Sequence, residues 1–164
     1  MDPWTLVSLF ALASGLIALS VIDLRTGYLP DYLQLALAAM GLGVLAVGSP
    51  VGITWGEALI GAALNAAVFW ALRWLVTRLK GREAMGLGDV KLVAVGGLWL
   101  GPFALPYIMA LGGLLTLIGA GVASVVTRRP IWRGEIPLGP GLAAGILAVF
   151  IAGIAGLPWT TLSV

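Results

Sequence analysis

Met85-Gly86-Leu87-Gly88-Asp89-Val90-Lys91-Leu92 sets a carboxylate, Asp89, at the mouth of an apolar run covering 88–100. Two glycines stand just before the acid and a lysine follows two residues after it. An ionised Asp near hydrocarbon costs roughly 2.5–3.5 kcal/mol on insertion scales. In a chain with only seven acidic residues in 164, such a placement calls for a chemical reason. Asp23, at the end of the first apolar run, has a similar setting.

The rest of the chain supplies that setting. It is 60% hydrophobic and 10% charged, with mean hydropathy +1.08, against about 25% charged residues in a soluble domain. The apolar runs are long and lack the period-2 alternation of an outer-membrane barrel. The expected fold is all-α: one polytopic membrane domain over 1–164, with six spans near 4–22, 32–48, 56–77, 88–100, 105–126 and 141–157. Most approach the ~20 residues a bilayer needs, and the fourth is short. The N-terminus has no basic n-region and no small-residue cleavage site before Asp23, so 4–22 reads as a retained helix.

There is no cysteine and no histidine. Disulfides, Cys-based zinc sites, thiol catalysis and a Ser-His-Asp triad are therefore excluded. The nine basic residues cluster at Arg25, at Arg73, Arg78, Lys80, Arg82 and Lys91, and at Arg128, Arg129 and Arg133. In a six-span chain all lie on one side, which the positive-inside rule makes the cytoplasm, with both termini outside. They read as topology signals in contact with lipid, not as a nucleic-acid surface. Trp4, Trp55, Trp99 and Trp159 then fall at outer ends, and Trp74 and Trp132 near inner ones, as an aromatic belt on each face.

Boundaries carry their own chemistry. Thr54-x-x-Glu57 reads as a capping box. Pro30 and Asp31 suit the start of a helix, and Gly101-Pro102 breaks one. Gly96-Gly97, Gly112-Gly113 and Gly119-x-Gly121 suggest close helix contacts, and Asn65, in mid-span, an interhelical hydrogen bond.

In this topology Asp23 and Asp89, 66 positions apart (23 to 89), reach one layer at the cytoplasmic end. Two carboxylates sharing a site do not readily both ionise, so the pair holds one proton. The ionised partner can take a proton from a water attacking a peptide carbonyl, while the protonated partner hydrogen-bonds the carbonyl oxygen. Gly86 and Gly88 permit positive φ and close backbone approach. Lys91 either offsets the dyad's charge, meets an acidic substrate group, or anchors the helix at the positive face. Paired intramembrane acids also serve proton relays, so the residues alone admit both an aspartyl protease and a proton-coupled carrier. A carrier would place acids near mid-bilayer between inverted repeats.

Three stretches resemble one family. Ile22-Asp23 with Leu29-Pro30-Asp31, then Lys80 through Leu92 continuing into Leu98-Trp99-Leu100-Gly101, then Ile136-Pro137-Leu138-Gly139-Pro140, are similar in order and spacing to motifs of the type IV prepilin peptidases. These are bacterial GxGD membrane aspartyl proteases. The resemblance implies Asp23 and Asp89 as catalytic residues and no metal or cofactor; Gly86, Gly88 and Lys91 are the supporting residues that the local pattern suggests. It implies prepilin or pseudopilin substrates, whose short basic leader is cut at the cytoplasmic face of a prokaryotic inner membrane. Many members add a Cys-x-x-Cys loop and N-methylate the new terminus. With no cysteine, this chain resembles the short branch of Flp-type pili or preflagellins, and methyltransferase activity is expected to be absent, while its Leu29-Pro30-Asp31 and Ile136-Pro137-Leu138-Gly139-Pro140 wording is closer to the bacterial long form. A presenilin-like protease shares Gly-Leu-Gly-Asp but needs nine spans and a Pro-Ala-Leu motif.

Overall fold

The computed structural model describes residues 1–81, 86–127 and 138–157. Arg82, Met85, Arg128, Arg129, Trp132, Arg133, Ile136, Pro137 and Trp159 lie outside these residues. Among the described residues the chain forms six helices: α1 (Pro3–Thr26), α2 (Asp31–Val47), α3 (Trp55–Lys80), α4 (Leu87–Leu100), α5 (Leu105–Thr127) and α6 (Gly139–Ile154). A 3₁₀ turn, Pro102–Ala104, joins α4 to α5.

The helix limits have local causes. Gly27, at φ 66°, ends α1 by donating its N–H to the Asp23 carbonyl at 2.8 Å, an αL stop open to a residue without Cβ. At the start of α3, Glu57 N–H donates to Thr54 Oγ1 at 3.3 Å and Thr54 N–H to Glu57 Oε2 at 2.7 Å, the reciprocal capping box expected there. Gly101 and Pro102 end α4.

Each helix buries one stripe. In α1 it is Thr5, Ser8, Leu12, Leu16, Leu19 and Asp23, steps of three and four that keep to one face. Asp23 is thus the last residue of the core-facing stripe. In α2 the stripe includes Gln34, Leu37, Gly41 and Val44; in α3 it is Ala58, Gly61, Asn65 and Phe69. α4 differs, being buried nearly all round. It is the centre of the bundle, packed mainly against α3, α6 and α2, while α6 also meets α5 and α1.

Three segments, Pro3–Thr26, Trp55–Lys80 and Pro102–Val125, are long and apolar enough to cross a membrane. Large side chains such as Phe10, Leu117 and Val125 stand exposed on them, as a lipid-covered surface requires and a water-facing one avoids. The chain is a membrane protein. α2, α4 and α6 are shorter, at 17, 14 and 16 residues. α4 rises about 21 Å, less than the ~30 Å of a hydrocarbon core. Leu87 and Lys91 of its first turn are exposed, whereas Asp89 between them is buried against the bundle.

Glycine sets the closest contacts. The α3 and α4 backbones meet at Gly61 and Gly97, where a Cβ on Gly61 would fall 2.6 Å from the Gly101 carbonyl carbon. Gly112 of α5 meets the Gly141 backbone of α6. Gly113, Gly119 and Gly121 have open space instead, so only part of the expected glycine contacts occur.

Two other expectations change. Trp99 is 3% exposed, not in an interfacial belt. Its indole N–H donates to the Leu37 carbonyl at 3.0 Å and its ring meets Phe150 edge-on at 5.7 Å, tying α4 to α2 and α6. Asn65 is fully buried against Gly97, but neither amide atom has a hydrogen-bond partner among the described residues. The helix backbones beside it already use their own N–H and C=O groups. Asn65→Leu, similar in volume, is therefore expected to stabilise the fold by about 1–3 kcal/mol. The midpoint of thermal unfolding in detergent reads this; a fall of similar size would mean that the amide is bonded.

Candidate active site

Four elements converge where α1 ends and α4 begins. Asp23 occupies the last turn of α1 and is 7% exposed. Asp89 is the third residue of α4 and is 9% exposed. The two are close enough for the charge of Asp23 to act on Asp89. Two acids distant in sequence thus share one buried site.

Helix starts hold both carboxylates. Gly86 is the N-cap of α4, and its backbone N–H donates to the Asp89 carboxylate three residues on. This is the acidic half of a capping box. The Asp23 carboxylate accepts a hydrogen bond from the backbone N–H of Gly139, the first residue of α6. Each acid therefore lies at the positive end of a helix, its own or a neighbour's.

Glycine serves here through space. Gly86 has φ −68°, and Gly88 is not among the positive-φ glycines, so the left-handed backbone that glycine permits is not used at these two positions. A helix was free to begin at Leu87, which keeps both in ordinary backbone regions. At Gly88, instead, a Cβ would come 2.9 Å from Leu29 Cβ. Leu29 is buried, and its Cδ1 would also be 3.3 Å from a Cβ on Gly139. The short turn between α1 and α2 thus wedges one leucine between the segments that carry Asp89 and α6.

Lys91 points elsewhere. Its ammonium meets Asp31 Oδ1 at 2.7 Å, pairing α4 with the first turn of α2, and both side chains are more than half exposed. Asp31 starts its helix and also receives the lysine. Among the described residues no three carboxylates gather as a metal cage would need. Sequence reasoning placed Leu29 and Gly139 in family-like stretches but gave neither a role in the site. The signal for Gly139 was its place before Pro140, since a proline in the first helical turn marks a helix start with open amides.

Comparison with known proteins follows the same residues. Positions 10–121, which include both Asp23 and Asp89, match the profile described as the type IV leader peptidase family. The prepilin leader peptidase/N-methyltransferase of Burkholderia pseudomallei (strain 1026b) is 40% identical over 146 residues, 88% of this chain and 46% of that protein. The protein of the same description from Aeromonas hydrophila is 39% identical over 158 residues, 95% and 50% of the two chains. The type 4 prepilin-like proteins leader peptide-processing enzyme of Escherichia coli O78:H11 is 34% identical over 145 residues, 88% and 51%. The chain spans about half the length of the curated relatives it matches. No solved structure matches it. With a matching profile over most of its length, and with both acids inside the match, the chain belongs to the type IV leader peptidase family.

Proposed function

We propose that this chain is a membrane aspartyl endopeptidase that removes the short leader from prepilins or pilin-like precursors, with Asp23 and Asp89 as its catalytic pair. The observation that carries this reading is the burial of both acids, with one side chain, Leu29, lying against both Gly88, next to Asp89, and Gly139, which meets the Asp23 carboxylate. The pair holds one proton. The ionised carboxylate takes a proton from water, and the resulting hydroxide equivalent adds to the scissile carbonyl carbon. The protonated carboxylate donates to the carbonyl oxygen and stabilises the tetrahedral intermediate. Collapse breaks the C–N bond, and a proton passes to the leaving amine. One water is consumed and the dyad returns to a single proton. The titration belongs to the pair, so neither acid is named the base.

Gly86 lets a substrate backbone come near Asp89, Gly88 supports the site by making room for Leu29, and Lys91 holds the rim of the site through Asp31. All six helices cross the bilayer, with both termini outside and the dyad at the cytoplasmic face of the inner membrane. The one-sided distribution of Lys and Arg supports this orientation.

Co-expression with pilin-like precursors, read as leader loss by gel shift, tests the activity. Orientation is tested with single cysteines, since the chain has none. Ser49→Cys should react with an impermeant maleimide added to spheroplasts, and Gly81→Cys only after lysis. Labelling of Gly81→Cys from outside would put the dyad in the wrong compartment. Asp31→Asn should retain most of its activity and lose no more than about 1 kcal/mol of stability, because an exposed ion pair contributes little and Asn also suits a helix start. Complete loss of cleavage in that variant would place Asp31 in the chemistry.

A further inference from the structure

Asp89 lies at the start of its own helix, whereas Asp23 lies at the end of one. What fixes its carboxylate comes from α6. Gly139, buried at the first position of that helix, donates its backbone N–H to Asp23. A Cβ at Gly139 would lie 2.5 Å from Asp23 Oδ2 and 3.0 Å from Asp23 Cγ. Real Cβ contacts of that length essentially never occur. The position is not a positive-φ glycine, so its backbone would accept alanine, and what a side chain lacks there is space.

The other α6 glycines differ. Gly141 and Gly145 lie against the backbone of α5, at Gly112 and Ile108. They bring two helices together, whereas Gly139 brings a helix N-terminus onto an acid.

We propose that Gly139 is a positioning residue for Asp23: its bare Cα and its N–H hold the carboxylate in the orientation in which it faces Asp89. The proposal rests on the peptidase reading for its kinetic consequence only. A side chain at 139 pushes the carboxylate aside. Asp23 is short and buried, so it cannot yield without leaving its place in the pair. A displacement of about 1 Å at a reacting group costs on the order of 10²-fold in rate.

The test compares the full chain with Gly139→Ala and with Gly113→Ala, a position in open space on α5. In Gly139→Ala, kcat for precursor cleavage should fall about 100-fold, with KM within about threefold and the thermal midpoint near that of the parent. Gly113→Ala should match the parent throughout. The chain has four aspartates, so carboxyl-labelled Asp can be followed by NMR. In Gly139→Ala the Asp23 signal should move and its titration midpoint change by about one pH unit, with Asp2 and Asp31 unaffected. In the parent, the Gly139 amide proton should titrate with Asp23 and cease to do so in Asp23→Asn. That measurement stands even if Gly139→Ala fails to fold.

An amide indifferent to Asp23→Asn, or an unmoved Asp23 signal in Gly139→Ala, overturns the assignment. So does parental kcat in Gly139→Ala, or activity lost only in step with thermal stability. A parent that cleaves no precursor while its Gly139 amide follows Asp23 would refute the peptidase reading and leave the positioning role intact.

Discussion

Asp89→Asn is expected to lower precursor cleavage by about 10⁴-fold, the upper range for removing a positioned acid or base, while the chain remains folded in the membrane. The fold should survive for a local reason. An amide oxygen at position 89 can still accept the Gly86 N–H that the carboxylate now accepts, so the start of α4 keeps its cap. The pair, however, can no longer share a proton, because an amide neither ionises nor donates an acidic one. Asp23→Asn should behave in the same way, its amide oxygen accepting from Gly139. The double variant should be little worse than either single one, since the two acids act as a unit. Leader loss against time, with membrane-extracted protein as the loading control, reads all three. Near-parental cleavage in either single variant would remove the dyad from the mechanism.

Gly97→Val should abolish the fold itself. Gly97 lies backbone to backbone against Gly61, beside the Asn65 amide, so a side chain there meets main chain that has no rotamer to change. α3 packs on the bundle mainly through α4. The variant must therefore push α3 off its principal contact, at about 3 kcal/mol or more, the upper end of overpacking costs. Poor accumulation and early unfolding in detergent are expected. Gly119→Val, in open space on α5, should accumulate normally. A Gly97→Val chain as stable as the parent would show that the α3–α4 contact is looser than described.

Much of this was readable from the sequence for identifiable reasons. Continuous apolar runs announce helices, and the capping box at Thr54 and the stop at Gly101-Pro102 are local signals that packing had no cause to override. Asp23 and Asp89 stood out because a charge amid hydrocarbon is costly. Asp23 also continues the three-and-four spacing of Ser8, Leu12, Leu16 and Leu19, a pattern that places it on the inner face. What sequence could not supply was the partner of each group. Lys91 had three readings until α2 brought Asp31 beside it. Gly139 and Leu29 act on the site through tertiary approach, which leaves no periodic trace. Trp99 suited an interface by its place at a helix end, but the helix it ends is enclosed by others.

The most direct test of the account is a two-component reaction. The purified chain, reconstituted in liposomes with one pilin-like precursor, is followed by intact mass spectrometry. The account predicts a leader and a mature fragment whose masses sum to the precursor plus one water, formed by the parent and absent with Asp23→Asn and Asp89→Asn. A precursor left whole by the folded parent, or cut equally well by both variants, would contradict it.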